Sequence, residues 1–179
     1  MVDPITSRRW IYRGLLLAIS ALVIFFHLLP IQVGEAYWPG PDFVLAFAFA
    51  WVMRRPDYVP VLLLGGLVLL TDMLFLRPPG LWAALAVIGL EFLRAREHLS
   101  RDLPFPVEWA MVAAVLISMT VAYRFFLVLF AVDQGGLGLS LMQLMTTIAV
   151  YPLIVLVSGT LLGINKIAPG EVDDMGHRL

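Results

Sequence analysis

Six apolar stretches, separated by short connectors rich in turn formers, constrain this chain more than any other feature. They cover 14–32, 43–53, 59–76, 81–93, 107–132 and 141–164. Between them lie Pro39-Gly40-Pro41, Arg54-Arg55-Pro56-Asp57, Pro78-Pro79-Gly80, Pro104-Phe105-Pro106 and Gln134-Gly135-Gly136, each a signal for a turn rather than a continued helix. With 61% hydrophobic and 14% charged residues, the chain has too little polar surface to cover a soluble globule of its size. The expectation is an all-α integral membrane protein: a six-helix transmembrane bundle forming a single domain over 1–179. Short cytoplasmic tails are expected at 1–11 and 165–179.

Crossing roughly 30 Å of hydrocarbon takes about 20 helical residues, and four stretches approach or exceed that length. The second and fourth do not. As a helix, 43–53 reaches only about 16 Å, so it must thin the bilayer, extend through its flanks or lie shielded by its neighbours. Charge decides whether the two short stretches cross. With the N-terminus inside and six crossings, ten of the twelve basic residues fall on cytoplasmic segments: Arg8, Arg9, Arg13, Arg54, Arg55, Arg94, Arg96, Arg101, Lys166 and Arg178. Only Arg77, on an external loop, and Arg124, within a helix, do not. This is the bias expected when Lys and Arg mark the cytoplasmic side. External connectors carry Glu35, Asp42 and Asp133. Trp10, Trp51 and Trp109 fall at cytoplasmic ends and Trp38 and Trp82 at external ends, as indoles in the headgroup belts do. The first stretch, behind three arginines, is at the long limit for a signal-peptide core and no convincing small-x-small cleavage site follows it, so it reads as a retained helix.

The net charge of -1 offers no basic field for nucleic acid, and no nucleic-acid partner is expected. With no cysteine, disulfides, thiolate metal sites and cysteine nucleophiles are excluded. The chain carries no H-E-x-x-H, nucleophile elbow, P-loop or carboxylate cluster at metal-ligand spacing. A non-enzyme without cofactors is the expectation, with membrane lipid as a contact.

Ionisable groups inside a bilayer cost at least about 2.5 kcal/mol at mid-depth and need a partner or water. Asp72 in the third stretch, Arg124 in the fifth and His27 in the first fall at similar depth, near the external ends. The expectation is a buried cluster in which Asp72 pairs with Arg124 and His27 adds a hydrogen bond, against separate snorkelling to the headgroups. Glu91 and Arg94, three apart, share a helix face. Glu108 opens the fifth helix, where the dipole favours a carboxylate. Arg54 and Arg55 are topology markers or a contact for lipid phosphates or a cytoplasmic partner. Gly159 and Gly163 form a G-x-x-x-G in the sixth stretch, suited to close helix approach within the bundle or to a partner helix. Gly65 and Gly66 pose the same choice.

The connector between the second and third stretches, with its flanks, reads Pro41-Asp42-Phe43 through Ala50-Trp51-Val52-Met53-Arg54-Arg55-Pro56-Asp57-Tyr58-Val59-Pro60. It resembles the rod shape-determining protein MreD family, which pairs a proline and a polar residue at the start of a short second helix with an Arg-Pro-rich cytoplasmic turn. A second block, from Gly66 through Thr71-Asp72-Met73-Leu74 to Arg77-Pro78-Pro79-Gly80, resembles that family's third helix, with an aspartate near the exit and a glycine-containing turn. These motifs occupy 41 to about 94; the C-terminal half matches in hydropathy alone. The resemblance implies a place in the inner membrane of bacteria, in the elongation machinery for lateral peptidoglycan synthesis. Its partners there would be a bitopic MreC-like scaffold, an MreB-like actin homologue and wall synthases. It also implies a fold related to the substrate-binding membrane subunits of energy-coupling-factor transporters, so the alternative is a small-molecule binding subunit of a transporter. An external pocket with several convergent polar groups would mark that alternative, and the sequence offers for it Asp72, Arg124, Glu35 and Tyr37. The resemblance and the charged positions together single out Asp42, Arg54, Arg55, Pro56, Asp72, Arg77, Gly80, Arg124, Gly159 and Gly163 as structural or partner-contact residues.

Overall fold

The computed structural model describes residues 4–29, 40–100, 104–132 and 136–164. Glu35, Tyr37, Trp38, Arg101, Asp133, Lys166, His177 and Arg178 lie outside them. Among the described residues six α-helices follow one another: α1 Pro4–Leu28, α2 Phe43–Val52, α3 Val61–Leu74, α4 Leu81–Ser100, α5 Phe105–Leu129 and α6 Leu137–Thr160. A single 3-10 turn, Pro56–Tyr58, links α2 to α3, and no strand occurs among the described residues.

Three helices, Ser7–Leu28 within α1, α5 and α6, are long and apolar enough to cross a membrane. Their outward faces carry Leu22 and Phe25 on α1, Val121 and Phe125 on α5, and Leu153 and Leu156 on α6, all more than half exposed. Large side chains exposed in such numbers along long apolar helices have hydrocarbon, not water, as their solvent. The described residues are all-helical, with the length and composition of a helical membrane protein.

The short helix α2 occupies the centre. Its sequence, FVLAFAFAWV, alternates bulky residues with alanines that let neighbours come close, and eight of its ten residues are buried. It packs on α6, α4 and α1, so its backbone is shielded by protein and its shortness needs no thinned bilayer. Its ends are closed by side chains. Asp42 accepts from the Leu45 N–H at 3.1 Å, and its own N–H donates to Thr147 Oγ1 at 2.9 Å. At the other end Trp51 Nε1 donates to Ser158 Oγ at 3.1 Å. Trp51 is fully buried, which corrects its reading as a headgroup anchor.

Contacts between helices sort into two ends. At one, Tyr12 of α1 donates to the Leu162 carbonyl at 2.9 Å and stacks on Tyr58 at 4.4 Å, while Arg9 pairs with Asp57 at 3.0 Å. At the other, the Trp82 ring at the start of α4 meets Tyr123 of α5 at 5.2 Å, and His27 at the end of α1 meets Phe75 beyond α3 at 4.5 Å. Successive helices therefore run in alternating directions. The described arginines Arg8, Arg9, Arg13, Arg54, Arg55, Arg94 and Arg96 belong to the first end, Arg77 and Arg124 to the second.

Two boundaries differ from the hydropathy reading. α1 begins at Pro4 rather than Gly14, because proline suits a first helical turn and Arg9, Tyr12 and Arg13 meet the turn after α2, Tyr12 by stacking on Tyr58. Residues 4–11 are thus helix rather than tail. α4 continues to Ser100, carried past the apolar boundary by good helix formers, the Glu91–Arg94 pair at 2.6 Å and Arg96 lying 3.5 Å from the Phe92 ring.

The glycine reading is also corrected. α6 ends at Thr160, and Gly163 stands beyond it at φ +65 with open space where a Cβ would be, so Gly159 and Gly163 form no helical G-x-x-x-G. Close approach occurs instead at Gly89 of α4, where a Cβ would lie 2.9 Å from Met119 Sδ and 3.0 Å from Val115 Cγ1 of α5. Of the earlier pair, Gly65 faces Val87 of α4 at 3.2 Å, and Gly66 meets nothing.

Candidate functional site

Polar groups in an apolar bundle concentrate in two places, one at each end. At the Arg-rich end the side chain of Arg54 folds back along α2, donating to the Ala50 carbonyl at 2.9 Å and to Glu108 Oε1 at 2.8 Å. Tyr151 of α6 donates to the same carboxylate oxygen at 2.9 Å. Glu108 is fully buried and Arg54 nearly so. Arg54 is therefore an internal tie between α2, α5 and α6 rather than a surface contact for lipid or a partner. Glu108 keeps its first-turn position on α5, but its burial is balanced by the guanidinium rather than by the helix dipole alone. Arg55 beside it is half-buried, and Pro56 opens the 3-10 turn.

A second backbone problem is solved nearby. Pro152 inside α6 has no N–H, so the carbonyl four residues earlier, Ile148, loses its helical donor. The indole of Trp109 replaces it at 3.0 Å.

At the opposite end α2 starts late, and over its first turn lies a cavity of about 260 Å³. Asp42 and Leu45 line it from α2, Arg77 and Trp82 from the α3–α4 connection, Leu116, Thr120, Tyr123, Arg124 and Leu127 from α5, and Ser140, Gln143, Leu144 and Thr147 from α6. Asp42 Oδ2 accepts from Trp82 Nε1 at 3.2 Å, which ties the floor of the cavity to its wall. Arg124 donates to Ser140 Oγ at 2.7 Å and to the Gly136 carbonyl at 3.1 Å. Arg77 lies over the rings of Phe75 and Trp82, at 5.7 and 5.8 Å, and has no ion pair among the described residues. A small recess lined by His27, Thr71 and Phe75 adjoins it and shares Asp42, Arg77 and Gln143.

The expected pairing of Asp72 with Arg124 does not form. Asp72 Oδ2 accepts from the backbone N–H groups of Gly80 and Ala83, both at 3.2 Å. It thereby closes the α3–α4 turn, where Gly80 takes φ +88, a conformation open to glycine. Arg124 is held by α6 instead, and His27 packs on Phe75 rather than bonding to Asp72. The two charges reach the same end of the molecule but are engaged by different groups, Asp72 by the backbone N–H donors of its own turn and Arg124 by α6 and the turn before it.

Reading the charged residues alone missed Tyr123, Ser140, Gln143 and Thr147, together with Glu108 and Tyr151 as partners of Arg54. A signal was present. Ser140, Gln143 and Thr147 follow at i, i+3 and i+7 in a largely apolar helix, which puts three polar groups on one face. Among the described residues no three His, Asp or Glu side chains gather closely enough to hold a metal ion. No family model, no curated protein and no solved structure matches the chain.

Proposed function

We propose that this chain is a six-crossing protein of the bacterial inner membrane, N-in and C-in. It serves as a non-enzymatic component of the cell-elongation machinery, with an MreC-like scaffold, an MreB-like actin homologue and wall synthases as partners. The observation that carries the reading is where the family-like block sits. Residues 41–60 form the most buried helix and its turn, pinned by Asp42, Trp51 and the Arg54–Glu108 pair. A motif used to fix the shape of a bundle suits an adaptor that presents rigid apolar faces to partner helices. Six crossings are favoured by the alternating helix directions and by the arginines gathered at one end.

The test is mild detergent extraction of a tagged copy at native expression, followed by mass spectrometry of what stays bound. Recovery of an MreC-like scaffold and wall synthases is the expected result. Recovery of paired ATPases with a coupling subunit would overturn it in favour of the second reading, a substrate-binding subunit of a transporter. That reading is favoured by one observation, the cavity with its convergent polar groups. At about 260 Å³ it falls below the roughly 300 to 1,000 Å³ usual for drug-sized ligands, and for that reason it stands second.

A further inference from the structure

A groove of about 340 Å³ runs between α4 and α5. Its shape follows from residue size. The two helices come closest at Gly89, where the missing side chain admits Met119 and Val115 of α5. Ala114, Ser118 and Ala122, spaced four apart along α5, line the groove and fill little of it. Ile88 and Phe92 of α4 flank it, 65% and 42% exposed. The Ser118 hydroxyl donates to the Ala114 carbonyl of its own helix at 2.8 Å, so the lining presents hydrocarbon everywhere except at Arg96. This exposed arginine stands over the Phe92 ring at 3.5 Å and sends one N–H to the Phe92 carbonyl at 3.5 Å. It makes no ion pair among the described residues. The carboxylates of α4 are engaged elsewhere: Glu91 is bound to Arg94, and Glu97 lines a crevice with Arg13 and Asp57 on another face of the helix. Stacking fixes the guanidinium plane and leaves N–H groups along its edge for an oxyanion.

We infer that this groove holds one anionic phospholipid from the leaflet at the arginine-rich end, its phosphate on Arg96 and one acyl chain along Gly89, Ala114, Ser118 and Ala122. Length decides the occupant. From Arg96 to Leu85 the groove follows α4 for about 16 Å, half of the roughly 30 Å of hydrocarbon and therefore one leaflet deep. A partner helix crossing the membrane would call for an apolar seam of twice that length. A phospholipid brings a charged phosphate and a chain of the right reach together. Guanidinium pairs with phosphate oxygens through two N–H groups, and anionic lipid is drawn to arginine at the membrane surface. The inference rests on the proposed crossing of α4, not on which proteins the chain binds.

The full chain is purified in detergent, and the lipids that stay bound are counted by native mass spectrometry with phosphatidylglycerol and phosphatidylcholine as probes. The expected result is one phosphatidylglycerol per chain that outlasts phosphatidylcholine. Arg96→Gln weakens it about tenfold or more, and Arg96→Lys recovers part of the loss. Ser118→Leu, which fills the groove and leaves the arginine in place, removes the lipid. Arg77→Gln at the opposite end and Leu156→Phe on the outer face of α6 leave it bound. Retention indifferent to Arg96→Gln and Ser118→Leu, or lowered as much by the two controls, is that of bulk lipid and overturns the proposal. Equal retention of phosphatidylcholine does so too. A spin label on Ile88→Cys in vesicles separates this outcome from a failure of α4 to cross. Collision with oxygen rather than with a water-soluble nickel chelate shows the groove open to hydrocarbon, and a missing lipid then counts against the lipid site alone. Preferential collision with the chelate overturns both.

Discussion

Arg54 and Glu108 form a salt bridge enclosed by helices, and each helps make the burial of the other tolerable. Taking one away leaves an uncompensated charge in a low-dielectric surrounding, which costs about 3–5 kcal/mol for a buried pair. Glu108→Ala and Arg54→Ala are each expected to destabilise the protein by about that amount, whereas the double variant Arg54→Met with Glu108→Leu should lose much less. Thermal unfolding in a fixed detergent checks this, and a double variant that loses the sum of the two single losses would show that the two groups are not coupled. Neither partner is evident from the sequence. Arg54 lies among other arginines in a turn and Glu108 in a helix start, both ordinary surface positions for such residues, and only the return of Arg54 along α2 brings them together.

At the level of the helix, each irregularity is matched by a group from a neighbouring helix. α6 contains Pro152, and the carbonyl it orphans is served by Trp109 of α5. Trp109→Phe keeps the ring but leaves the Ile148 carbonyl without a donor, an expected loss of about 1–3 kcal/mol. In a Pro152→Ala background the helix supplies its own N–H, so the same substitution should then cost nearly nothing. A double-mutant cycle measures the difference, and additive losses would refute the link. α2 shows the same logic on a larger scale: too short to cross as an independent helix, it is buried among the others instead. That a short apolar segment exists was legible from residue types; that it forms the centre, with a cavity over its first turn, was not.

For the molecule as a whole, the apolar outer faces and the one-sided arginines make orientation the property to test. The chain has no cysteine, so single cysteines can be introduced as reporters without background. Pro79→Cys, in the α3–α4 connection, is expected to react with an impermeant maleimide applied outside spheroplasts. Ala95→Cys, exposed near the end of α4, should react only after permeabilisation. Reversed accessibility would overturn the proposed N-in orientation, and equal accessibility would mean that α4 does not cross.

The sequence by itself determined the solvent and the order of the elements. Hydrocarbon selects apolar helices wherever such residues run on without charge, and Pro, Gly and Arg mark where the runs stop, so helix number and approximate bounds follow from local composition. Pairing of the polar groups was decided only by tertiary structure. Asp72, Arg124 and His27 share a depth, but depth fixes one coordinate and leaves the rotation of each helix free. A buried charge goes to whichever donor its helix neighbours bring within about 3 Å. Packing around α2 set those rotations. It directed Asp72 to its own turn, Arg124 to Ser140 and Arg54 to Glu108, and it left Arg77 and Arg124 lining the same cavity.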